Sequence, residues 1–196
     1  LMRSSAASDV YKRQLYNIIK YVSKSGVSMN INTTYTKIIT GEDLMETAQH
    51  GSTLYPFQFY YEDLSVFDFN CIEWHWHTEL EFIYIESGTV TLWIGEDQFH
   101  LTEGNGIFIN TKVLHRLYSP SKALIPNFVF MPSFIAPCDS LIYQKYILPI
   151  ISSSLPFLVF HKKVCWQAKV LSIMRQIISA QDSVLSKELL TSSLLQ

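Results

Sequence analysis

Short segments rich in aromatic and β-branched residues dominate residues 57–129, and turn residues separate them. Runs such as FQFYY, EFIYI and TVTLWI alternate with stretches that contain Gly, Ser, Pro or Asp. About six to eight strands at this spacing, with no helical segment between them, indicate an all-β sandwich or barrel. This pattern constrains the fold more than any other feature of the chain.

Helical spacing of apolar residues occurs on both sides of the strand-rich region. Residues 41–50 are predicted to form a short helix that stops at Gly51. After Pro132 the helical period recurs in residues 140–151 and 166–180, and a third helix is predicted to begin near Ser186. The expected fold class is therefore mainly β, with a barrel followed by C-terminal α-helices.

An apolar stripe marks the helix at 166–180 and suggests a contact surface. A helix that follows a small barrel can bury only part of its apolar side, which favours a homodimer seam over intramolecular core, the alternative. The residues of this predicted interface are Val170, Leu171, Met174, Ile177 and Ile178.

Composition excludes several classes of protein. Fifteen basic and seventeen acidic residues give a net charge of -2, which does not suit a nucleic-acid-binding surface. Three widely separated cysteines suggest neither a disulfide framework nor a zinc site, and no apolar run reaches membrane-spanning length. We therefore expect a cytoplasmic protein that makes no membrane contact.

Two imidazoles and a carboxylate share parity in the stretch HWHTELE, at His75, His77 and Glu81. If this stretch is extended throughout, the three side chains project to the same face, which is the interior of a barrel. Such a set could bind a metal ion, with open positions for water or substrate. The alternative is a hydrogen-bonded cluster that only fixes the mouth of the barrel.

These residues carry a resemblance to the cupins. The spacing from His75 through His77 and Glu81 to Gly88 resembles the first cupin motif, and residues 104–119 resemble the second. His115 occupies the histidine position of the second motif, so all four family metal-ligand positions are retained. The departures from the two motifs are Phe69, Asn110, Lys112 and Ser119, which replace glycine, proline, glycine and asparagine.

The amino-acid sequences of three segments are also similar to segments of AraC-type transcription regulators: PFQFYYEDL, WHWHTELEFIYIESG and GNGIFINTKVLHRLYSP. The resemblance implies a cupin barrel that binds a small polar metabolite, with a sugar as the expected class, followed by dimerising helices. In that family, helix-turn-helix units that contact DNA follow these helices. We therefore expect a truncated regulator that contacts DNA only through a missing C-terminal domain.

The resemblance also assigns roles. His75, His77, Glu81 and His115 are predicted to hydrogen-bond the effector, and Trp93 either stacks on it or belongs to the barrel core. The expected function is effector sensing without catalysis. No cofactor is firmly implied, although the same four polar residues could hold a divalent metal. The alternative is then a metal-dependent cupin enzyme, and a freestanding carbohydrate-binding module is a third hypothesis.

These observations divide the chain into three segments. Residues 1–28 are expected to be an artefactual or disordered leader, since the first fourteen look like translated adaptor sequence. Residues 41–135 are expected to form the effector-binding barrel. Residues 136–196 are expected to form the helical linker and dimerisation segment.

Overall fold

The computed structural model describes residues 35–180 and 190–194, and within them it contains nine β-strands. The predicted leader, residues 1–28, lies outside this part of the chain. In chain order the strands are β1 (Phe57–Asp63), β2 (Cys71–His75), β3 (Leu80–Tyr84), β4 (Thr89–Ile94), β5 (Asp97–Thr102), β6 (Gly106–Ile109), β7 (His115–Tyr118), β8 (Leu124–Phe130) and β9 (Phe157–Phe160).

The strands form two antiparallel sheets. One has five strands in the order β1-β8-β3-β6-β9, and the other has four in the order β2-β7-β4-β5. The chain passes repeatedly between the sheets, so strands that follow one another in sequence often belong to opposite walls. This jelly-roll arrangement, with helices towards the C-terminus, confirms the predicted cupin barrel.

The two faces of the five-stranded sheet differ in composition. Along β3, the side chains of Glu81 and Ile83 point towards the second sheet, while Leu80, Phe82 and Tyr84 point outward. The inner face packs mainly aliphatic residues, and the outer face forms an aromatic layer with stacked phenylalanine rings. Alternation along each strand therefore separates two cores.

Helical elements follow β8. A π-helix at Tyr143–Ile147 continues into α1 (Leu148–Ile151), and α2 spans Cys165–Ser179. Residues 190–194 are also helical, whereas the predicted start of that helix near Ser186 lies outside the described part. Three short 3-10 turns occupy Leu64–Val66, Asp68–Asn70 and Pro132–Phe134. No helix within residues 35–180 or 190–194 has the length and apolarity needed to span a membrane.

The helix predicted at residues 41–50 is wrong. The amide of Gly41 donates to the carbonyl of Met45 at 2.8 Å, which closes a turn, and Leu44 has a left-handed φ of 66°. Beyond the turn, the amide of Glu46 donates to the Trp76 carbonyl at 2.9 Å. Extended pairing with the chain just after β2 thus replaces the intrahelical hydrogen bonds.

Strand β9 interrupts the segment that was expected to be helical. Its four residues pair antiparallel with β6, where Phe160 lies opposite Gly106 and Phe157 opposite Ile109. The short run lies between two helical stretches and directly follows Pro156, so its periodicity did not identify it. The barrel therefore draws one strand from residues 136–196.

The apolar stripe of α2 packs inside the chain, which differs from the predicted dimer seam. Leu171, Met174, Ile177 and Ile178 are buried against the aromatic layer, and the half-buried Val170 packs against the same cluster. The outer face of the five-stranded sheet is apolar and needs cover, and α2 supplies it. Side chains that are buried in this way cannot also form a free surface for a second copy.

Backbone conformation explains two of the glycines in the cupin motifs. Gly88 has φ +86°, and a Cβ there would lie 2.7 Å from the carbonyl oxygen of Lys122. Gly104 also has a left-handed φ, +82°. Lys112, which stands where the second motif has glycine, takes the same conformation with φ 60°. The departure in sequence therefore leaves the turn geometry unchanged, at the strain cost of a non-glycine residue.

Candidate functional site

The four predicted polar residues converge inside one end of the barrel. His75 ends β2 and lies directly opposite His115, the first residue of β7. Glu81 comes from β3 in the opposite sheet, and His77 from the connection between them. The stretch is not extended throughout, since β2 ends at His75 and β3 begins at Leu80, yet the side chains still meet because the chain crosses from one wall to the other.

Glu81 is the centre of this cluster. Its Oε2 lies 3.2 Å from Nε2 of His77 and 3.2 Å from Nε2 of His115. The His75 ring packs against that of His115 with centroids 4.1 Å apart. All four side chains are buried, so their polar atoms must find partners within the protein or in a ligand.

Backbone carbonyls orient the imidazoles. Nδ1 of His75 donates to the carbonyl of Glu73 at 2.8 Å, and Nδ1 of His115 donates to that of Val113 at 2.8 Å. A carbonyl can only accept, so each Nδ1 carries a proton and each Nε2 is directed towards the cluster. His115 Nε2 makes no well-aligned hydrogen bond there despite its short distance to Glu81.

Burial and local charge set the protonation of the cluster. Burial raises the pKa of Glu81, but the hydrogen bonds and charges of His115 and His77 outweigh it and hold that pKa well below the ordinary value. Burial lowers the pKa of His77, and the Glu81 carboxylate more than offsets this, so its pKa is raised. Burial and the neighbouring His115 lower the pKa of His75 to about 3. Glu81 and His77 therefore favour each other's charged forms, and His75 is neutral at neutral pH.

The donor set fits a divalent metal. His75, His77 and His115 each offer one nitrogen, and these atoms lie within 4.8 Å of one another. The Nδ1 protons of His75 and His115 are held by backbone carbonyls, the arrangement that directs Nε2 towards a metal. With Glu81 the set would supply three imidazoles and a carboxylate, and an ion bound there would act as a Lewis acid.

A cavity of about 270 Å³ adjoins the cluster and extends to the segment before β1. Sequence reasoning identified only His75, His77 and Glu81 among its walls. Parity along β1 and β8 could have identified more, because polar side chains there occupy positions otherwise filled by apolar interior residues. The polar lining residues that were missed are Tyr35, Lys37, Glu46, Thr47, His50, Tyr60, Glu62 and Asn127.

Glu62 is the most unusual of these missed residues. It is buried, its Oε1 accepts from the Tyr35 hydroxyl at 2.6 Å, and its Oε2 accepts from Nδ2 of Asn127 at 2.9 Å. Burial raises its pKa to about 7, although the two hydrogen bonds oppose that shift. Glu62 is therefore a second buried carboxylate, on the same inner face as Glu81.

Trp93 does not join the cluster. On β4 it pairs with Arg116, whereas Leu92 and Ile94 on either side belong to the inner core. The guanidinium of Arg116 lies 5.1 Å from the centre of the indole, on the outer face of the four-stranded sheet. The predicted stacking of Trp93 on a ligand within the barrel is thus wrong, because its parity places it outside.

Comparison with known proteins assigns residues 58–138 to a family described as the AraC-like ligand binding domain. The chain is also 24% identical over 143 residues to YdeC, an uncharacterised HTH-type transcriptional regulator of Bacillus subtilis. That match covers 71% of this chain and 48% of the relative, so the chain spans about half the length of the regulator.

Solved structures also resemble this chain. ToxT from Vibrio cholerae aligns over 70% of this chain and 54% of its own, with 14% identity and a TM-score of 0.49. A cupin-2 domain protein from Shewanella frigidimarina aligns over 41% of this chain and 81% of its own, with 20% identity and a TM-score of 0.34.

The comparisons agree with the fold and with the cluster inside it. The matched family is described by ligand binding and the relative as a regulator, and both descriptions agree with the expectation of a binding domain. The matched segment begins in β1, ends beyond β8, and contains all four residues of the cluster. Residues 58–138 therefore form an AraC-type ligand-binding domain with the cupin fold.

Proposed function

We propose that this chain is the effector-sensing part of an AraC-type transcription regulator and binds a small polar metabolite, with a sugar as the expected class, inside the barrel. The observation that carries the proposal is the cavity of about 270 Å³ bordered by His75, His77 and Glu81, within the segment that matches a ligand-binding family. Pockets for small molecules typically measure about 300–1,000 Å³, so a single ring fits this volume better than an oligosaccharide.

The cluster supplies the chemistry for a polyhydroxylated ligand. Neutral His75 offers Nε2 as an acceptor, and the buried Glu81 carboxylate can accept from a pair of hydroxyl groups. Apolar walls at Ile83 and Val129 exclude water around these contacts. The many polar groups among the lining residues give orientation and specificity to a polar ligand.

Regulation then requires that the effector binds two arrangements of the protein with different affinities. The shift in population cannot exceed that difference in binding free energy. In the full-length regulator, which is proposed to be a cytoplasmic homodimer, the shift would change how paired DNA-binding units are presented. Because the stripe of α2 packs against the aromatic layer, the interface of that homodimer is proposed to lie elsewhere on the chain.

The domain boundaries belong to the same proposal. Residues 41–135 would form the sensing barrel, and residues 136–196 would connect it to a DNA-binding domain. Because the α2 stripe covers the outer face of the barrel, a change in the barrel can reach this connection through direct packing. Residues 1–28 have no part in the proposed function.

Binding of neutral monosaccharides to the purified chain, measured by thermal shift and calorimetry, tests the proposal. Ligand at about 100 times its Kd stabilises a protein by about 3 kcal/mol, which gives a readily measured change in Tm. We expect at least one pentose or hexose to bind the wild-type chain and to lose binding in His77→Ala. The matched control is His100→Ala, since His100 is exposed and lies on β5, away from the cavity.

Two results would contradict the proposal. One is equal binding in His77→Ala and the wild type, once circular dichroism shows that both are folded. The other is an equal loss in His100→Ala, which would place binding outside the barrel. His77→Gln keeps a hydrogen-bonding side chain of intermediate size. It therefore distinguishes a loss of binding caused by the missing imidazole from one caused by the empty space that alanine leaves.

A further inference from the structure

The charges around the cavity do not balance. Three carboxylates line it, from Glu46, Glu62 and Glu81, against one lysine, Lys37, which is exposed. Glu81 is paired with His77, and Oε2 of Glu46 lies 3.3 Å from Nε2 of His50. Glu62 has no such partner: within residues 35–180 and 190–194, no cationic group lies at ion-pair distance from it.

Among the described residues, two neutral donors hold Glu62 in place. The Tyr35 hydroxyl and the Asn127 amide each donate to one carboxylate oxygen, which fixes the side chain but leaves its charge without compensation. A buried carboxylate without a counter-charge is costly, so a group of this kind is either protonated or paired when the protein functions. Burial, reinforced by Glu81 and Glu46, raises its pKa to about 7 and indicates the strain on the charged form.

A second observation also indicates a ligand in the cavity. His50 is buried and lines the cavity beside His77, with ring centroids 5.6 Å apart, and its Nε2 lies 3.3 Å from Oε2 of Glu46 without a well-aligned hydrogen bond. A buried polar atom that is left unsatisfied in this way is costly unless a ligand or water completes it. The region around Glu62 and His50 therefore offers both charge and hydrogen bonding to a bound molecule.

We propose that the effector carries a positively charged amine and that this ammonium group pairs with the Glu62 carboxylate, while hydroxyl groups of the same molecule contact the His75, His77 and Glu81 end. The inference rests on the proposed function, since it names the class of effector for the same cavity. A small amino sugar or a hydroxylated amine combines the two features. Neutral sugars fill the same space but leave Glu62 without a counter-charge.

Matched probes test the inference on the full chain. Glucosamine, glucose and N-acetylglucosamine share a ring but differ in charge, and ethanolamine and ethylene glycol form a smaller pair. Binding is measured by calorimetry and thermal shift at constant ionic strength and at a pH of about 7, where the amines are mostly protonated and Glu62 is partly ionised. We expect each amine to bind at least about tenfold more tightly than its neutral counterparts.

Glu62→Gln is the decisive variant, because it keeps the size of the side chain and removes its charge. The expected result is loss of the preference for amines while binding of the neutral sugars is retained. Glu103→Gln changes an exposed carboxylate on the barrel surface and is expected to leave the preference intact.

The outcomes separate this inference from the proposed function. Neutral sugars that bind as tightly as their amines, in a manner that depends on His77, would overturn the inference and support the sensing cavity. A preference for amines that survives Glu62→Gln would also overturn it. If no amine stabilises the wild-type chain more than sodium chloride of equal ionic strength, the inference is wrong, and binding of neutral sugars then decides the proposed function separately.

Discussion

The two faces of the five-stranded sheet lead to different conclusions about the same strands. On the outer face, Phe82, Phe128 and Met174 are fully packed, and α2 closes the layer. On the inner face, Glu62, Glu81 and Asn127 are buried polar groups that line a cavity. The outer layer gains stability from burial alone, whereas the inner end keeps costly groups that packing does not explain. The contrast supports the proposal that an effector binds in the interior.

Removing a side chain from the outer layer should have the largest effect on stability. Met174 is fully buried between α2 and the aromatic layer, so Met174→Ala is expected to lower the free energy of unfolding by about 2–5 kcal/mol, as measured by denaturant titration. Arg175→Ala, on the exposed side of the same helix, is the control and should change it by less than about 0.5 kcal/mol. Similar losses in the two variants would show that α2 does not cover the sheet.

The inner face should make the free energy of unfolding depend on pH. Since the pKa of Glu62 is raised to about 7 in the folded protein, the folded state holds a proton that the unfolded state releases near pH 4.5, its ordinary value. Stability contributed by this proton is present below pH 4.5 and is lost as pH rises to about 7, for a total of about 3 kcal/mol.

Glu62→Gln removes this titration, so the variant should gain stability relative to the wild type as pH rises through that window. Tyr35, Asn127, Tyr60, Glu46 and Glu81 face the same region and are unchanged in the comparison. Urea denaturation at several pH values provides the measurement, with Glu96→Gln in the exposed β4–β5 turn as the control. Parallel curves for wild type and Glu62→Gln would show that Glu62 is not buried as an acid.

A pair of opposed isoleucines distinguishes cavity from packed core on the inner face. Ile83 and Ile107 lie opposite each other on β3 and β6, but only Ile83 lines the cavity. Ile107→Phe must overpack the core and should cost about 1–3 kcal/mol, whereas Ile83→Phe can extend into open space and should cost less. Ile83→Phe should also abolish effector binding. Equal costs for the two substitutions would contradict the position of the cavity.

Trp93 should give the smallest effect on binding. Its indole lies on the outer face of the four-stranded sheet beneath Arg116, so Trp93→Leu is expected to leave effector affinity unchanged within about twofold. Its stability should fall only modestly, because Trp93 is half-buried. A tenfold loss of affinity in calorimetry would show instead that Trp93 contributes to effector binding.

Much of the fold and the centre of the site could be predicted from sequence. The eight strands before residue 131 follow from short aromatic and β-branched runs, and α2 follows from its apolar period. The cluster of His75, His77, Glu81 and His115 follows from the cupin spacing. These features depend on local patterns, which the sequence displays directly.

Features that depend on which surfaces meet were not predictable in the same way. The apolar stripe of α2 shows which side of the helix is buried, but not whether a second chain or its own barrel covers it. The side of β4 on which Trp93 lies depends on its pairing with β7. Glu62 lies on β1 and His50 in the segment before it, so their shared cavity appears only when that segment folds against the barrel.

The most direct test of the central claim uses the six histidines as internal reporters. Four belong to the proposed site, His50, His75, His77 and His115, while His100 and His161 are exposed elsewhere. The imidazole NMR signals of the full chain would be followed during titration with glucose and with glucosamine. We predict shifts for the four interior histidines and none for His100 and His161. Shifts confined to the exposed pair, or no shift with either probe, would contradict effector binding inside the barrel.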